Sequence, residues 1–230
     1  MKNSLQLSPL WMVVIFAASV FALASFAGCW YYRQSELKTL NQQEQDLRSD
    51  IEQLDTWGKW TIDYVKVDKA LAYLSKNKLS ENTRRKLTEQ IWMISRTYSI
   101  DPLLILAVVA QESHGNPNAR GRMRSGAESG AMGLMQIKLE TAQMMAKHFG
   151  LRVDSEADLM RPEVNVAVGT AYLIRLMGKY GSYKEALIAY NLGHSAVDRK
   201  LSRGEVLPTR YYEHVISKYR KLARESFSNF

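Results

Sequence analysis

Asp101-Pro102-Leu103-Leu104-Ile105-Leu106-Ala107-Val108-Val109-Ala110-Gln111-Glu112 runs from a helix-start signal to a carboxylate. Asp101 is a good N-cap, and Pro102 suits the first helical turn. The next eight residues are apolar. On a helix that pattern leaves no polar face, so it predicts burial on every side. Gly115-Asn116-Pro117 then stops the helix. A carboxylate delivered at the end of such a helix loses part of its hydration. Its pKa should rise, and it could hold a proton near neutral pH. The plainer alternative is that Glu112 is the first solvated residue after a core helix. Further along, Gly133-Leu134-Met135-Gln136-Ile137 forms a second compact signature.

The surrounding composition is that of a packed protein, with 46% hydrophobic and 10% aromatic residues. The net charge is +8, and from Arg96 onward 19 Lys and Arg face 13 Asp and Glu. Such an excess favours a polyanionic partner: nucleic acid, anionic lipid or an acidic cell-wall polymer. No zinc-finger spacing or RNA-binding signature accompanies it, which argues against nucleic acid. A single cysteine, Cys29, excludes an intrachain disulfide and a multi-cysteine metal site. The four histidines show no ligand spacing, so neither a metal nor a cofactor is expected.

Toward the N-terminus, Leu10 to Tyr32 carries no charge over 23 residues, enough to span a bilayer as a helix. Trp11 at one end and Trp30-Tyr31-Tyr32 at the other match interfacial aromatics. Residues 1–32 therefore read as a membrane anchor or signal segment. Phe26-Ala27-Gly28-Cys29 also resembles a permissive lipobox, which would make the chain a lipoprotein anchored at Cys29. Charge does not decide orientation, because Lys2 lies on one side and Arg33, Lys38 and Arg48 on the other.

Residues 33–80 read as a helical stalk. Positions 33, 37, 40, 44, 47, 51 and 54 alternate spacings of four and three, with Leu37, Leu40, Leu47, Ile51 and Leu54 apolar and a polar break at Glu44. This is a short coiled-coil seam, predicting self-association through 33–54. The alternative is one amphipathic helix packed on its own domain. Gly58 reads as a break, followed by a second helix carrying Trp57, Trp60, Ile62, Val65, Val67, Leu71 and Leu74.

Residues 81–230 read as one domain of helices. Ser80 can cap a helix to about Ser99, and the Asp101 helix follows. Gly115 to Gly133 is a polar loop with five glycines and Arg120, Arg122 and Arg124. Helices are predicted over Leu139–Phe149, Pro162–Tyr180, Tyr183–Tyr190, His194–Leu201 and from Pro208 to about Phe227, with Ser155 capping a turn. No alternating strand pattern is evident. The fold class is all-α, with a loop-rich cleft.

Four motifs line up across this domain. Glu112-Ser113 precedes Asn116-Pro117-Asn118-Ala119. Gly133-Leu134-Met135-Gln136-Ile137 follows, then Ala189-Tyr190-Asn191, then Thr209-Arg210-Tyr211-Tyr212 with Val215. In this order they resemble the lytic transglycosylases of the soluble-lytic-transglycosylase type, with a goose-type, lysozyme-like fold. The resemblance covers about residues 90–222 and leaves out the anchor and stalk.

The resemblance implies that Glu112 is a single catalytic acid/base cleaving the β-1,4 bond between N-acetylmuramic acid and N-acetylglucosamine in peptidoglycan. One carboxyl can suffice. The muramyl C6 hydroxyl closes on C1 to give a 1,6-anhydro end, so no second carboxylate is needed to activate water. Ser113 resembles the residue that orients the glutamate or the substrate; alternatively it is a helix C-terminal hydroxyl. Gly133 would let the backbone approach a sugar, and Met135 and Gln136 would line the cleft. Tyr190 would hold its hydroxyl near Glu112, and Asn191 would bind sugar or cap a turn. Tyr212 matches the family's final tyrosine, with Tyr211 a packing or rim neighbour.

Two departures stand out. The Arg120–Ser129 loop is longer than the family spacing. It either flanks the cleft, contacting anionic peptide stems, or is a solvated surface loop. Leu192 replaces a small residue. Glu128 bears on the mechanism, since across the cleft it could activate water and make the enzyme a lysozyme-like hydrolase. Three functions follow: a membrane-anchored lytic transglycosylase with its domain outside the cytoplasmic membrane, such a hydrolase, or a non-enzymatic murein-binding scaffold. The first would act on glycan strands and could serve an envelope-spanning machine.

Overall fold

The structure is a computed structural model that describes residues 9–76 and 78–227, with backbone alone at positions 9, 50, 53–57, 60, 149 and 227. Its first helix, α1 (Pro9–Ser75), passes through Gly58 without a break. One glycine costs a helix interior only about 1 kcal/mol relative to alanine, too little by itself to end it. The chain divides into two compact units between Lys59 and Trp60.

In the first unit, the stretch Leu10–Ser49 contains a window long and apolar enough to cross a membrane. Its large side chains are exposed, among them Trp11, Phe16, Trp30 and Tyr31. Leu37, Leu40, Leu47 and Ile51 of the heptad seam are exposed as well. The side chains of Leu54, Trp57 and Trp60, and residue Lys2, lie outside the described residues.

The second unit, Trp60–Phe230, takes in the end of α1 that the sequence pattern assigned to the stalk. Val67, Ala70 and Leu71 are buried in the same core as Leu87, Ile91 and Ile105. Around them run α2 (Glu81–Tyr98), α3 (Pro102–Glu112), α4 (Leu139–Phe149), α5 (Glu156–Leu159), α6 (Pro162–Tyr180), α7 (Tyr183–Leu192), α8 (His194–Ser202) and α9 (Arg210–Phe227). The boundaries follow the start and stop residues. Ser80 accepts from the Thr83 N–H, Asp101 from Leu103, and Ser182 from Glu185. Gly150 and Gly181 end α4 and α6 in the left-handed conformation.

Helix α3 is the central element. Leu103 through Ala110 are all buried, and at ~2 kcal/mol for each large side chain this burial outweighs any surface contact. The last helix, α9, packs along α3, and α2, α4 and α7 pack on α6.

Within the helical class lies a small sheet that the sequence pattern did not reveal. Strands β1 (Arg120–Arg122), β2 (Glu128–Met132) and β3 (Ile137–Lys138) pair antiparallel in the order β1-β2-β3. Arg120 lies opposite Met132 and Arg122 opposite Glu128, with an irregularity between them, and Met132 lies opposite Ile137. The strands are two to five residues long, and only Met132 and Ile137, paired at one end, reach the core; the rest is held by backbone hydrogen bonds. Period-two patterning has nothing to report in such strands.

Candidate active site

Glu112 ends α3 as expected, half-buried at the rim of a cleft of about 490 Å³. The cleft draws on four regions: Arg122, Ser129 and Ala131 of the sheet; Gln136 to Lys138; Tyr172 of α6; and Tyr190 to Leu192 of α7. Among the described residues, Glu112 is the one carboxylate lining it, while Arg122 and Lys138 bring positive charge. Burial raises the Glu112 pKa above the ordinary carboxylate value, and a hydrogen bond from Tyr211 partly offsets the rise.

That tyrosine is the main correction to the sequence reading. The hydroxyl of Tyr211, not Tyr212, donates to Glu112 Oε1. Thr209 donates to the Glu213 carboxylate at the start of α9, which sets the first turn and hence the direction of Tyr211. Successive helix residues diverge by about 100°, so two adjacent tyrosines do not share one target. Tyr212 instead packs half-buried on the core and does not line the cleft. Burial, and then the charge of Glu112, push the Tyr211 phenol far above its ordinary pKa, so it stays a proton donor.

Tyr190 lines the cleft and is nearly buried, but its hydroxyl donates to the Met135 carbonyl at 2.9 Å. Burial, with the field of Glu112 next in size, holds its phenol protonated. The ring of Tyr172 lies 5.5 Å from that of Tyr190 and completes this wall. Asn191 and Leu192 are exposed on the same rim.

The Gly133–Gln136 turn is also built differently from the expectation. Met135 is fully buried and contributes its carbonyl rather than its side chain. Gly133 is buried too, with φ +77, and a Cβ there would lie 2.2 Å from Asn165 Nδ2. Its smallness therefore admits Asn165, not a sugar. Asn165, fully buried in α6, accepts from the Met135 N–H at 2.8 Å. Its amide donates to the Met132 carbonyl at 2.9 Å and the Leu159 carbonyl at 3.1 Å. Gln136 does face the cleft; its Nε2 donates to the carbonyls of Ala119 and Gly133 at 3.0 and 2.9 Å.

Ser113 is buried and donates its hydroxyl to the Val109 carbonyl at 3.1 Å, which is the helix-terminal alternative. Glu128 is exposed, lies 3.8 Å from Arg120 and does not line the cleft. Arg120 also binds Glu156 at 3.1 Å, so this arginine clamps the hairpin to α5. A second hollow of about 450 Å³ between α2 and α6 is mainly apolar and holds none of the expected site residues.

Two roles depend on tertiary contacts alone. Tyr211, expected as a packing or rim neighbour of Tyr212, reaches Glu112, and only the phase of α9 separates the two. Asn165 carried a weak signal, an amide at an otherwise apolar stretch of α6.

The chain is 30% identical over 140 residues to the membrane-bound lytic murein transglycosylase E of Buchnera aphidicola, covering 57% of this chain and 61% of that one. It is 40% identical over 78 residues to the endo-type membrane-bound lytic murein transglycosylase A of Citrobacter koseri, covering 33% and 36%. The crystal structure of the 70 kDa soluble lytic transglycosylase from Escherichia coli is similar at 26% identity and a TM-score of 0.45, over 62% of this chain and 24% of that one. The chain spans only part of the length of the curated relatives it matches, from 23% to 66%. The transglycosylase SLT domain model matches residues 89–212, more than half of the sequence, and the chain belongs to that family.

Proposed function

We propose that this protein is a membrane-anchored peptidoglycan lytic transglycosylase that cleaves the β-1,4 bond between N-acetylmuramic acid and N-acetylglucosamine and leaves 1,6-anhydromuramyl ends. The observation that carries the reading is the desolvated carboxyl of Glu112, the one carboxylate among the described residues that line a cleft also holding tyrosine, amide and basic groups.

Glu112 enters protonated and gives its proton to the glycosidic oxygen as the bond to muramyl C1 breaks. Positive charge develops at C1 and the ring oxygen. The C6 hydroxyl of the same sugar then bonds to C1, and its proton passes to the Glu112 carboxylate, which restores the acid. Tyr211 donates to the carboxylate while Glu112 is ionised and can accept from the carboxyl when it is protonated. Intramolecular attack gains from proximity and dispenses with a second carboxylate. Gln136, Tyr190 and Asn191 serve as walls for sugar, and Arg122 and Lys138 meet anionic peptide stems. Gly133, Met135 and Ser113 act behind the wall, as supports.

The apolar stretch within residues 10–32 anchors the chain, and the substrate's location puts the domain outside the cytoplasmic membrane. Residues 33–54 self-associate through the exposed Leu37, Leu40, Leu47 and Ile51, with 1–32 as anchor, a stalk that ends near Lys59, and a family core that takes in residues 60–80 as well as 81–230. Local wall remodelling for an envelope-spanning machine would suit this plan.

The test is digestion of purified peptidoglycan followed by mass spectrometry of the muropeptides. Products lighter by one water than hydrolytic ones, absent with Glu112→Gln, bear the reading out. Reducing ends from the wild type make the protein a hydrolase, and no release at all makes it a scaffold.

A further inference from the structure

Away from the cleft, a hollow of about 180 Å³ lies where the end of α1, the turn after α3 and the second half of α9 meet. Leu74 and Leu222 give it an apolar floor, and Lys76, Lys78, Lys218 and Lys221 stand around it with His114. No carboxylate lines it among the described residues. Lys66, Lys179 and Lys200 form salt bridges elsewhere in the structure. Lys221 lies 5.5 Å from the Tyr73 ring centroid; a hydrogen bond with the Tyr73 hydroxyl holds its pKa above the ordinary lysine value, and Glu225, one turn on, adds its field there.

Helix-end charge does not account for the cluster. Lys76 and Lys78 do offset the carbonyl end of α1, and α3 ends nearby at Glu112. Each helix end presents about half a negative charge and Glu225 adds one more, so four ammonium groups leave a surplus of about two. Lys218 and Lys221 sit within α9, away from any helix end. Like charges gathered around one hollow repel each other, weakly where they face solvent, and an anion at the centre turns that repulsion into attraction.

We propose that this hollow binds a phosphate group. A phosphate monoester carries between one and two negative charges near neutrality and has acceptor oxygens pointing in several directions. Lysines, with three donors each and no planar fork, suit it better than they suit a flat carboxylate. Free phosphate and a phospholipid headgroup share this chemistry. A bound phosphate bridges the end of α1 to α9, the helix that carries Tyr211, and it lies against His114, two residues past Glu112. The site is separate from the cleft, and its existence does not depend on the cleavage reaction.

The experiment is thermal unfolding of the full chain in a neutral detergent, titrated with inorganic phosphate against sodium chloride at matched ionic strength. The wild-type midpoint should rise saturably with phosphate beyond the chloride reference. Lys218→Gln with Lys221→Gln should weaken the apparent affinity at least ~10-fold, since two charge-assisted contacts are lost. Lys76→Gln with Lys78→Gln, on the opposite rim, serves if the first pair disturbs folding. A second titration with glycerol 3-phosphate separates the sources: tighter binding than inorganic phosphate assigns a lipid headgroup, and weaker binding assigns the free ion. Equal responses of wild type and variants, or no effect beyond chloride, overturn the proposal.

Discussion

Tyr211 and Glu112 stand 99 positions apart in sequence, yet the tyrosine hydroxyl donates to the glutamate Oε1. At the other end of the same helix pair, the Tyr219 hydroxyl donates to Asp101 Oδ2 at 2.6 Å. Helix α9 therefore runs antiparallel along α3 and grips both its N-cap and its terminal carboxylate. The acid is positioned by the helix that supplies its hydrogen-bond donor.

Replacing Glu112 by Gln should lower turnover on peptidoglycan by ~10²–10⁴-fold, the usual share of a general acid/base. The same variant carries a stability signature. Burial raises the carboxyl pKa in the folded chain, so the folded state holds the proton more tightly than the unfolded one. The wild type accordingly loses stability as pH rises from about 4.5 through the folded-state pKa, and the amide does not. Unfolding midpoints of the two proteins should coincide in acid and separate above that window, with the variant higher. A constant offset at all pH values would contradict a desolvated Glu112.

Tyr211→Phe removes a donor to an ionised partner, an interaction of about 1.5–3 kcal/mol, so activity should fall roughly 10- to 100-fold. Because that bond lowers the Glu112 pKa, its loss should move the alkaline limb of the pH–rate profile to higher pH. Tyr212→Phe should leave both the rate and the profile close to wild type. Comparing the two profiles decides which tyrosine serves the acid.

Asn165→Ala leaves the Met135 N–H and the carbonyls of Met132 and Leu159 without their partner in the core. The cost should be about 2–4 kcal/mol, a drop in unfolding midpoint of roughly 5–15 °C. Gly133→Ala should also destabilise, through its φ of +77 and the 2.2 Å approach to Asn165. Thermal unfolding measures both.

Glu128→Gln should change turnover by less than ~2-fold, as for a surface substitution, and leave the product distribution intact. The side chain pairs loosely with Arg120 outside the cleft. Mass spectrometry of the digest checks this; a switch in end group would return Glu128 to the reaction.

Tyr219→Phe should destabilise by about 1 kcal/mol, a partly exposed hydrogen bond to a charged cap. Asp101 raises the Tyr219 pKa to about 12, chiefly through that bond. This contribution is whole below pH 10 and disappears as pH rises toward 12, so the gap between wild type and variant should narrow there. Alkaline unfolding curves of the pair measure it.

Much of this protein was legible in its sequence because the signals were local. Asp101-Pro102 and an unbroken apolar run specify a buried helix, and Ser80, Ser155, Gly150 and Gly181 mark their boundaries through nearest-neighbour backbone chemistry. The end of that helix placed Glu112 before any contact was known. What the order of residues could not determine was phase and long-range pairing. Whether Tyr211 or Tyr212 meets Glu112 depends on how α9 is rotated against α3. Whether Gly133 serves a ligand or Asn165 depends on a packing partner in another helix. The three short strands came from backbone pairing that leaves no trace in side-chain polarity. Local geometry is written in adjacent residues, while the direction a side chain takes toward a distant partner is settled only when the core closes around it.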